Sequence, residues 1–237
     1  KTPYLDRLAE NGIRYTQAYN TSKCWTSRIS LLTGLYHHRS DRDFSNTALV
    51  GEILKPAAYR TWWAGKHHAE FNPHDRGFDH FFGFLGGASN IRNNGEQARQ
   101  GEDQPGWQAV YTWAFDDKLV KPFNPDKDFF ATDAFTDWGL NWLDEKEREQ
   151  DPFFLFLSYN APHWPLHAHF EDITKYDGIY NRGYEAIRRA RYERQLEIGL
   201  FNSKTAHLSE PEHELWNNLS KQEKENEVIR MKIHAAM

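Results

Sequence analysis

The stretch PFFLFLSYNAPHWPLHA, residues 152–168, decides the fold class. Its first half is a continuous apolar run with no polar alternation, the pattern of a strand covered on both faces. Its second half, NAPHWPLHA, is a loop that leaves that strand at once. A second compact β-prone run, YRTWWAG (59–65), is followed directly by Lys66, His67 and His68. Between the two lies FFATDAFTDWGLNWLDEKERE (129–149), amphipathic through Phe135, Trp138 and Trp142 at helical spacing. Helices alternating with buried strands predict an α/β fold with a largely parallel sheet. In such sheets, sites form where the chain leaves the carboxyl ends of strands. Three stretches take that position: SKCWTSR (22–28), GKHH (65–68) and APHWP (161–165).

The rest of the chain fits this frame. TPYLDRLAENG (2–12) reads as a short helix with Thr2 as cap, Pro3 in the first turn and Gly12 at its end. IRYTQAYN (13–20) alternates like a strand. SKCWTSRISLLTG turns into a helix, with Ile29, Leu32 and Leu31, Leu35 as apolar pairs and Gly34 near its end. ALVGEILK (48–55) is helical up to Pro56. Residues 184–200 are helical and rich in arginine. Residues 86–128 differ: GGASNIRNNGEQARQGEDQPGWQ lacks periodicity and reads as a long surface loop, a variable insertion at the site rim. At the end, SKQEKENEVIRMKIHAAM begins with a capping box, Ser220 with Glu223, and carries Val228, Met231 and Ala235 at helical spacing. No stop signal follows, and no initiator methionine precedes Lys1. Residues 1–237 are therefore expected to form a single catalytic domain fragment, internal to a longer protein.

Composition narrows the function. The 237 residues are 39% hydrophobic and 27% charged, ordinary for a globular protein, with a high aromatic share of 15%. A net charge of −5 disfavours nucleic acid as partner. No apolar run approaches a membrane span. One cysteine excludes an internal disulfide framework.

That cysteine, Cys24, stands at the mouth of a helix, facing unpaired backbone N–H groups and the positive end of the dipole. The position lowers a thiol pKa and favours an anion beside it. A small buried hydrophobe is the equal alternative. Arg28, one turn on, can point the same way or be a surface charge. Lys66 and His68 are two apart past a strand and can share one face, with His67 pointing away. Alone, they read as well as a solvated loop. His163 sits between Pro162 and Trp164, in a loop stiffened by proline. A lone loop histidine is usually structural, and there are twelve histidines here. His167 and His169 resemble a metal cluster only weakly, and no zinc motif is present. Together, Cys24, Arg28, Lys66, His68 and His163 would make a strongly electropositive site suited to a compact oxyanion such as sulfate or phosphate.

At these residues the chain resembles the sulfatase family, arylsulfatase-like, within the alkaline-phosphatase-like superfamily. The resemblance rests on Cys24-x-x-Ser27-Arg28 continued by Leu32-Thr33-Gly34, on TPYLDRLAENGIRYTQAY before it, and on YRTWWAGKHH, RGFDHFFGFLGG and PFFLFLSYNAPHWPLHA after it. The resemblance implies a three-layer α/β/α sandwich with a mostly parallel central sheet, incomplete in this fragment. It implies sulfuric ester hydrolysis through a formylglycine made from Cys24 by a maturation enzyme. As an aldehyde hydrate this residue would attack sulfur, release the alcohol, and return to the aldehyde by expelling sulfate. Arg28 would hold the hydrate, Lys66 would bind a sulfate oxygen, and His68 would orient the hydrate and assist the collapse. His163 would bind sulfate and protonate the leaving oxygen. A divalent cation, usually calcium, would take formylglycine 24 as one ligand and its remaining ligands from outside residues 1–237, so the fragment alone is expected to bind calcium poorly and to be inactive. Export to the periplasm, lysosome or cell exterior is common among sulfatases.

The departures from the family pattern are specific. Thr26 replaces the usual Pro or Ala, at the position the maturation enzyme reads. His67 replaces the usual Trp, Ala58 stands where Gly is usual, and Pro56 interrupts its helix early. Two other functions remain open: a phosphate or phosphonate monoester hydrolase of the same superfamily, and a non-catalytic binder of sulfated ligands with unmodified Cys24. Aryl sulfates and sulfated carbohydrates are both open as ligands. Trp25, Trp107, Trp113 and Trp164 could stack on rings, although tryptophans at such spacings are more often core.

Overall fold

The computed structural model describes residues 2–41, 43–69, 71–93, 111–144, 151–211 and 215–237. In chain order the elements are α1 (Pro3–Glu10), α2 (Cys24–Thr33), α3 (Val50–Leu54), β1 (Arg60–Lys66), β2 (His80–Phe84), β3 (Trp113–Phe115), β4 (Lys118–Val120), α4 (Ala131–Leu143), β5 (Phe153–Ser158), α5 (Phe170–Thr174), α6 (Tyr184–Glu197) and α7 (Lys221–Ala236). Contacts gather into two units. One comprises Lys1–Asn20 with Ala168–Ala236, the other Thr21–His167 with Met237.

The larger unit is a five-stranded sheet in the order β4-β3-β2-β1-β5. β1 pairs in parallel with both β2 and β5, and the short β3 and β4 extend the β2 edge in antiparallel fashion. The α/β class with a mostly parallel sheet is therefore present. Alternate residues of β1 face opposite ways. Trp62 and Ala64 pack with Phe82, Phe84, Trp113 and, from α4, Phe135 and Trp142. Trp63 turns the other way, to Phe78, Phe81, Leu49 and, from α2, Ile29 and Leu32. The sheet is thus covered on both faces, which is why β1 reads as an unbroken apolar run.

Several expectations are corrected. Residues 13–20 form no strand: every one of them is exposed, and alternation specifies a strand only where one face is buried. β5 is not fully buried. Phe153 is 52% exposed and only Ser158 is buried, because β5 stands at the sheet edge with one paired neighbour. Residues 86–128 are not wholly loop. Within them, 113–120 form the β3–β4 hairpin, and Trp113 is 0% exposed, excluding it as a stacking platform. Residues 94–110, and Trp107 with them, lie outside the described residues.

In the smaller unit, α7 begins with the expected capping box: the Ser220 N–H donates to Glu223 Oε2 at 2.8 Å, and the Glu223 N–H to Ser220 Oγ at 3.3 Å. The Tyr184 hydroxyl donates to Glu227 Oε2 at 2.5 Å, and the Arg188 guanidinium donates to Ser209 at its carbonyl and hydroxyl oxygens, 2.6 and 2.7 Å.

Candidate active site

The site grows from the carboxyl end of β1. Gly65 has φ 122°, a conformation an L side chain rarely adopts, and a Cβ there would lie 2.1 Å from the Ser158 carbonyl oxygen. Glycine therefore lets β1 close tightly on β5 just where Lys66 emerges. The Lys66 carbonyl is then held from two sides: Arg28 Nη1 donates to it at 2.8 Å and Ser158 Oγ at 2.9 Å. The Lys66 ammonium also interacts electrostatically with Cys24. One residue thus links the strand end to the first residue of α2.

Electrostatics follow from burial. Lys66 is 4% exposed, and desolvation holds its ammonium below the ordinary lysine value; the nearby Arg28 adds to this and Cys24 opposes it. Desolvation also brings Arg28 down to about 10, again opposed by Cys24. A buried and a half-buried cation beside a half-buried sulfur, at a helix N-terminus, create a strong demand for an anion.

Three hydroxyls brace the turn that carries Cys24. Thr26 Oγ1 donates to the carbonyl of Lys23 at 2.9 Å and contacts Thr21 Oγ1 at 2.8 Å; Ser27 Oγ donates to the Thr21 carbonyl at 2.6 Å. Thr26 is 7% exposed. The departure at this position is therefore a packed, hydrogen-bonded side chain.

His67 and His68 part company as expected. His67 is 1% exposed, with its ring 4.8 Å from that of Trp63 and 4.4 Å from that of Phe71. Burial and the positive charge of Arg28 lower its pKa to about 3, so it is a neutral aromatic filler where the family pattern has Trp. His68 has φ 71°, the left-handed region, a local strain that other contacts must hold. Its N–H donates to the Leu85 carbonyl at 3.0 Å. Its ring lies over Gly87, where a Cβ would come 2.5 Å from Nε2. His68 also lines a cavity of about 340 Å³ with Asp43, Gly86 and Tyr111.

His163 leaves the end of β5, the same sheet end as Lys66. Its Nδ1 is 2.7 Å from the Trp164 carbonyl, which can only accept, so Nδ1 carries the proton and Nε2 is left as the basic nitrogen. Among the described hydrogen bonds none joins His163 to Cys24, Arg28 or Lys66. The loop is anchored instead by Asn160, whose Nδ2 donates to the Ser89 carbonyl at 2.7 Å.

The structure thus brings Cys24, Arg28 and Lys66 together, sets His68 on the next turn of chain, and leaves His163 at the same edge without a direct contact. Ser158 and Gly87 were missed from the sequence. The only available signal for Ser158 was its place as the last residue of an apolar strand. Among the described residues no group of three or more His, Cys, Asp and Glu could hold a metal ion. The charged side chains that interact with Cys24, Arg28 and Lys66, are cations.

The sulfatase family model matches residues 1–220, and the chain belongs to that family. It is 30% identical over 265 residues to an uncharacterized sulfatase of Schizosaccharomyces pombe, covering all of this chain and 47% of that protein. It is also 30% identical over 260 residues to an arylsulfatase of Klebsiella aerogenes, covering all of this chain and 54% of the relative. The chain spans about half the length of these curated relatives. Among solved structures, Ps i-CgsB in complex with k-i-k-neocarrahexaose superimposes with a TM-score of 0.59 at 29% identity, over 75% of this chain and 43% of that one.

Proposed function

We propose that the protein containing this chain hydrolyses sulfate monoesters at Cys24, converted to formylglycine by a maturation enzyme. The observation that carries this reading is the buried Lys66 at the end of β1, its carbonyl clamped by Arg28 from α2, the helix that begins at Cys24. The aldehyde would supply the nucleophilic oxygen that a thiol does not. The desolvated Lys66 would bind a sulfate oxygen, and its attraction for charge gained in the transition state is strengthened by the absence of water. Arg28 would hold the charge of the modified residue and keep Lys66 in place through its carbonyl. His68 would orient the modified residue from its strained turn. His163, with its Nδ1–H held by the Trp164 carbonyl, would take up a proton at Nε2 and hand it to the leaving oxygen. A calcium ion would take the modified residue as one ligand and find its others beyond the residues described here. An aryl sulfate or sulfated carbohydrate substrate is supported by the relatives: one is named an arylsulfatase, and Ps i-CgsB is solved in complex with k-i-k-neocarrahexaose.

The test is the mass of the Cys24 peptide from full-length protein expressed with a maturation enzyme, followed by turnover of matched sulfate and phosphate esters. A loss of about 18 Da with preference for sulfate supports the reading. Preference for phosphate transfers the site to phosphoester hydrolysis. Lys66→Met should lower kcat by about a hundredfold to a thousandfold, the usual effect of removing one preorganised charge donor; unchanged kcat removes Lys66 from the site.

One observation favours a second reading. Thr26 is buried and bonded where Pro or Ala is usual, and an unconverted, alkylatable Cys24 would make the pocket a binder of sulfated ligands without turnover.

A further inference from the structure

The smaller unit holds a cavity of about 420 Å³ between α6 and α7, within the range of small-molecule sites. Its walls are apolar and aromatic: Ile187 from α6, Val228 and Met231 from α7, and the rings of Tyr180 and Trp216. Gly183, with φ 83°, stands against Trp216: a Cβ there would lie 2.4 Å from the indole. The indole is thus seated by the absence of a side chain. The polar groups nearby are largely committed. The Tyr184 hydroxyl donates to Glu227, which also pairs with Arg230, so that carboxylate is balanced. Arg188 is held by Ser209. Arg191 is different. It lines the same cavity, is exposed, and makes no ion pair or hydrogen bond among the described residues. A neutral apolar void with one uncommitted guanidinium at its mouth is complementary to an apolar group that ends in a negative charge.

We propose that this cavity is a binding site for a small amphipathic anion, an acyl or aryl group bearing one carboxylate or sulfate, with its apolar part between α6 and α7 and its head on Arg191. The site lies outside the Cys24 site and does not depend on the reading of that site. Decanoate and decanol are the probes, because they share a chain and differ in charge. Titration calorimetry on the full-length protein should show saturable binding of decanoate to one site. Arg191→Gln should weaken decanoate about tenfold, an ordinary effect for one charge-assisted contact, and leave decanol unchanged. Val228→Trp should abolish both by filling the void. Ile187→Trp serves the same purpose from the facing helix, should the first variant lose its circular dichroism spectrum. Cys24→Ala should leave decanoate binding intact. The proposal is overturned if neither probe saturates, if both filled variants still bind, or if Arg191→Gln affects decanol as much as decanoate.

Discussion

Strand β1 and helix α6 are neighbours in neither sequence nor physics. Six of the seven residues of β1 are buried, between an aromatic layer under α4 and another under α2. None of the fourteen residues of α6 is buried, nor is any residue of α1 or α7. β1 is ordered by removal of apolar surface from water on two faces. The smaller unit is ordered to a larger degree by polar links at its surface, the capping box at Ser220, Tyr184 to Glu227 and Arg188 to Ser209. The difference teaches where precision is located. Of the groups assigned to chemistry, Lys66 ends the strand that cannot move without opening both cores, and Cys24 and Arg28 sit on α2, whose Ile29 and Leu32 belong to one of them; the α6–α7 cavity belongs to elements with few buried contacts and a lower local opening energy.

The sharpest way to break this contrast is Trp63→Ala. Trp63 is 0% exposed and touches the rings of His67, Phe78, Phe81 and Phe156. Its truncation should cost about 3–5 kcal/mol in denaturant unfolding. A loss below about 1 kcal/mol would mean that this core does not carry the fold.

His67 offers a test by pH. Its folded pKa, about 3, lies below the ordinary 6.5, because burial excludes the charged form. Between those values the unfolded chain binds the extra proton, so stability falls as pH drops from about 6.5 toward 3. The full span corresponds to an upper limit on the order of 5 kcal/mol. His67→Phe should flatten that part of the stability–pH curve while keeping the aromatic packing. An unchanged curve would mean that His67 is hydrated.

In the smaller unit the effects should be smaller. Ser220→Ala removes the cap of α7 and should cost about 1 kcal/mol, read as faster amide exchange in the first turn. Ile229, 54% exposed, should change stability by less than about 0.5 kcal/mol when truncated to Ala. If Ile229→Ala costs as much as Trp63→Ala, α7 is held as tightly as β1 and the contrast collapses.

How much could be read beforehand varies element by element, for physical reasons. α2, β1 and α7 were legible because a local pattern coincides with what tertiary contacts reward: Ile29 and Leu32 at helical spacing are the residues that become buried, and Gly34 takes the left-handed cap. The alternation of 13–20 misled because nothing covers its apolar side. The β3–β4 hairpin was hidden by the featureless stretch before it, although Trp113 is among the most buried residues. Cys24, Arg28 and Lys66 were legible through their motifs. Arg28's actual contact, the main-chain carbonyl of Lys66, was not, since no side-chain pattern reports on a backbone acceptor 38 positions away.

The sequence by itself determined the family, the α/β class, and the residue types gathered at strand ends, because motif order and hydrophobic periodicity are local properties. Only the tertiary structure decided that Ser158 and Arg28 share one carbonyl, that Gly65 permits the approach of β1 to β5, and that His67 is a buried neutral ring. Each of these depends on distances between segments far apart in the chain, set by which faces of the sheet are covered, and such distances have no signature in any single stretch of residues.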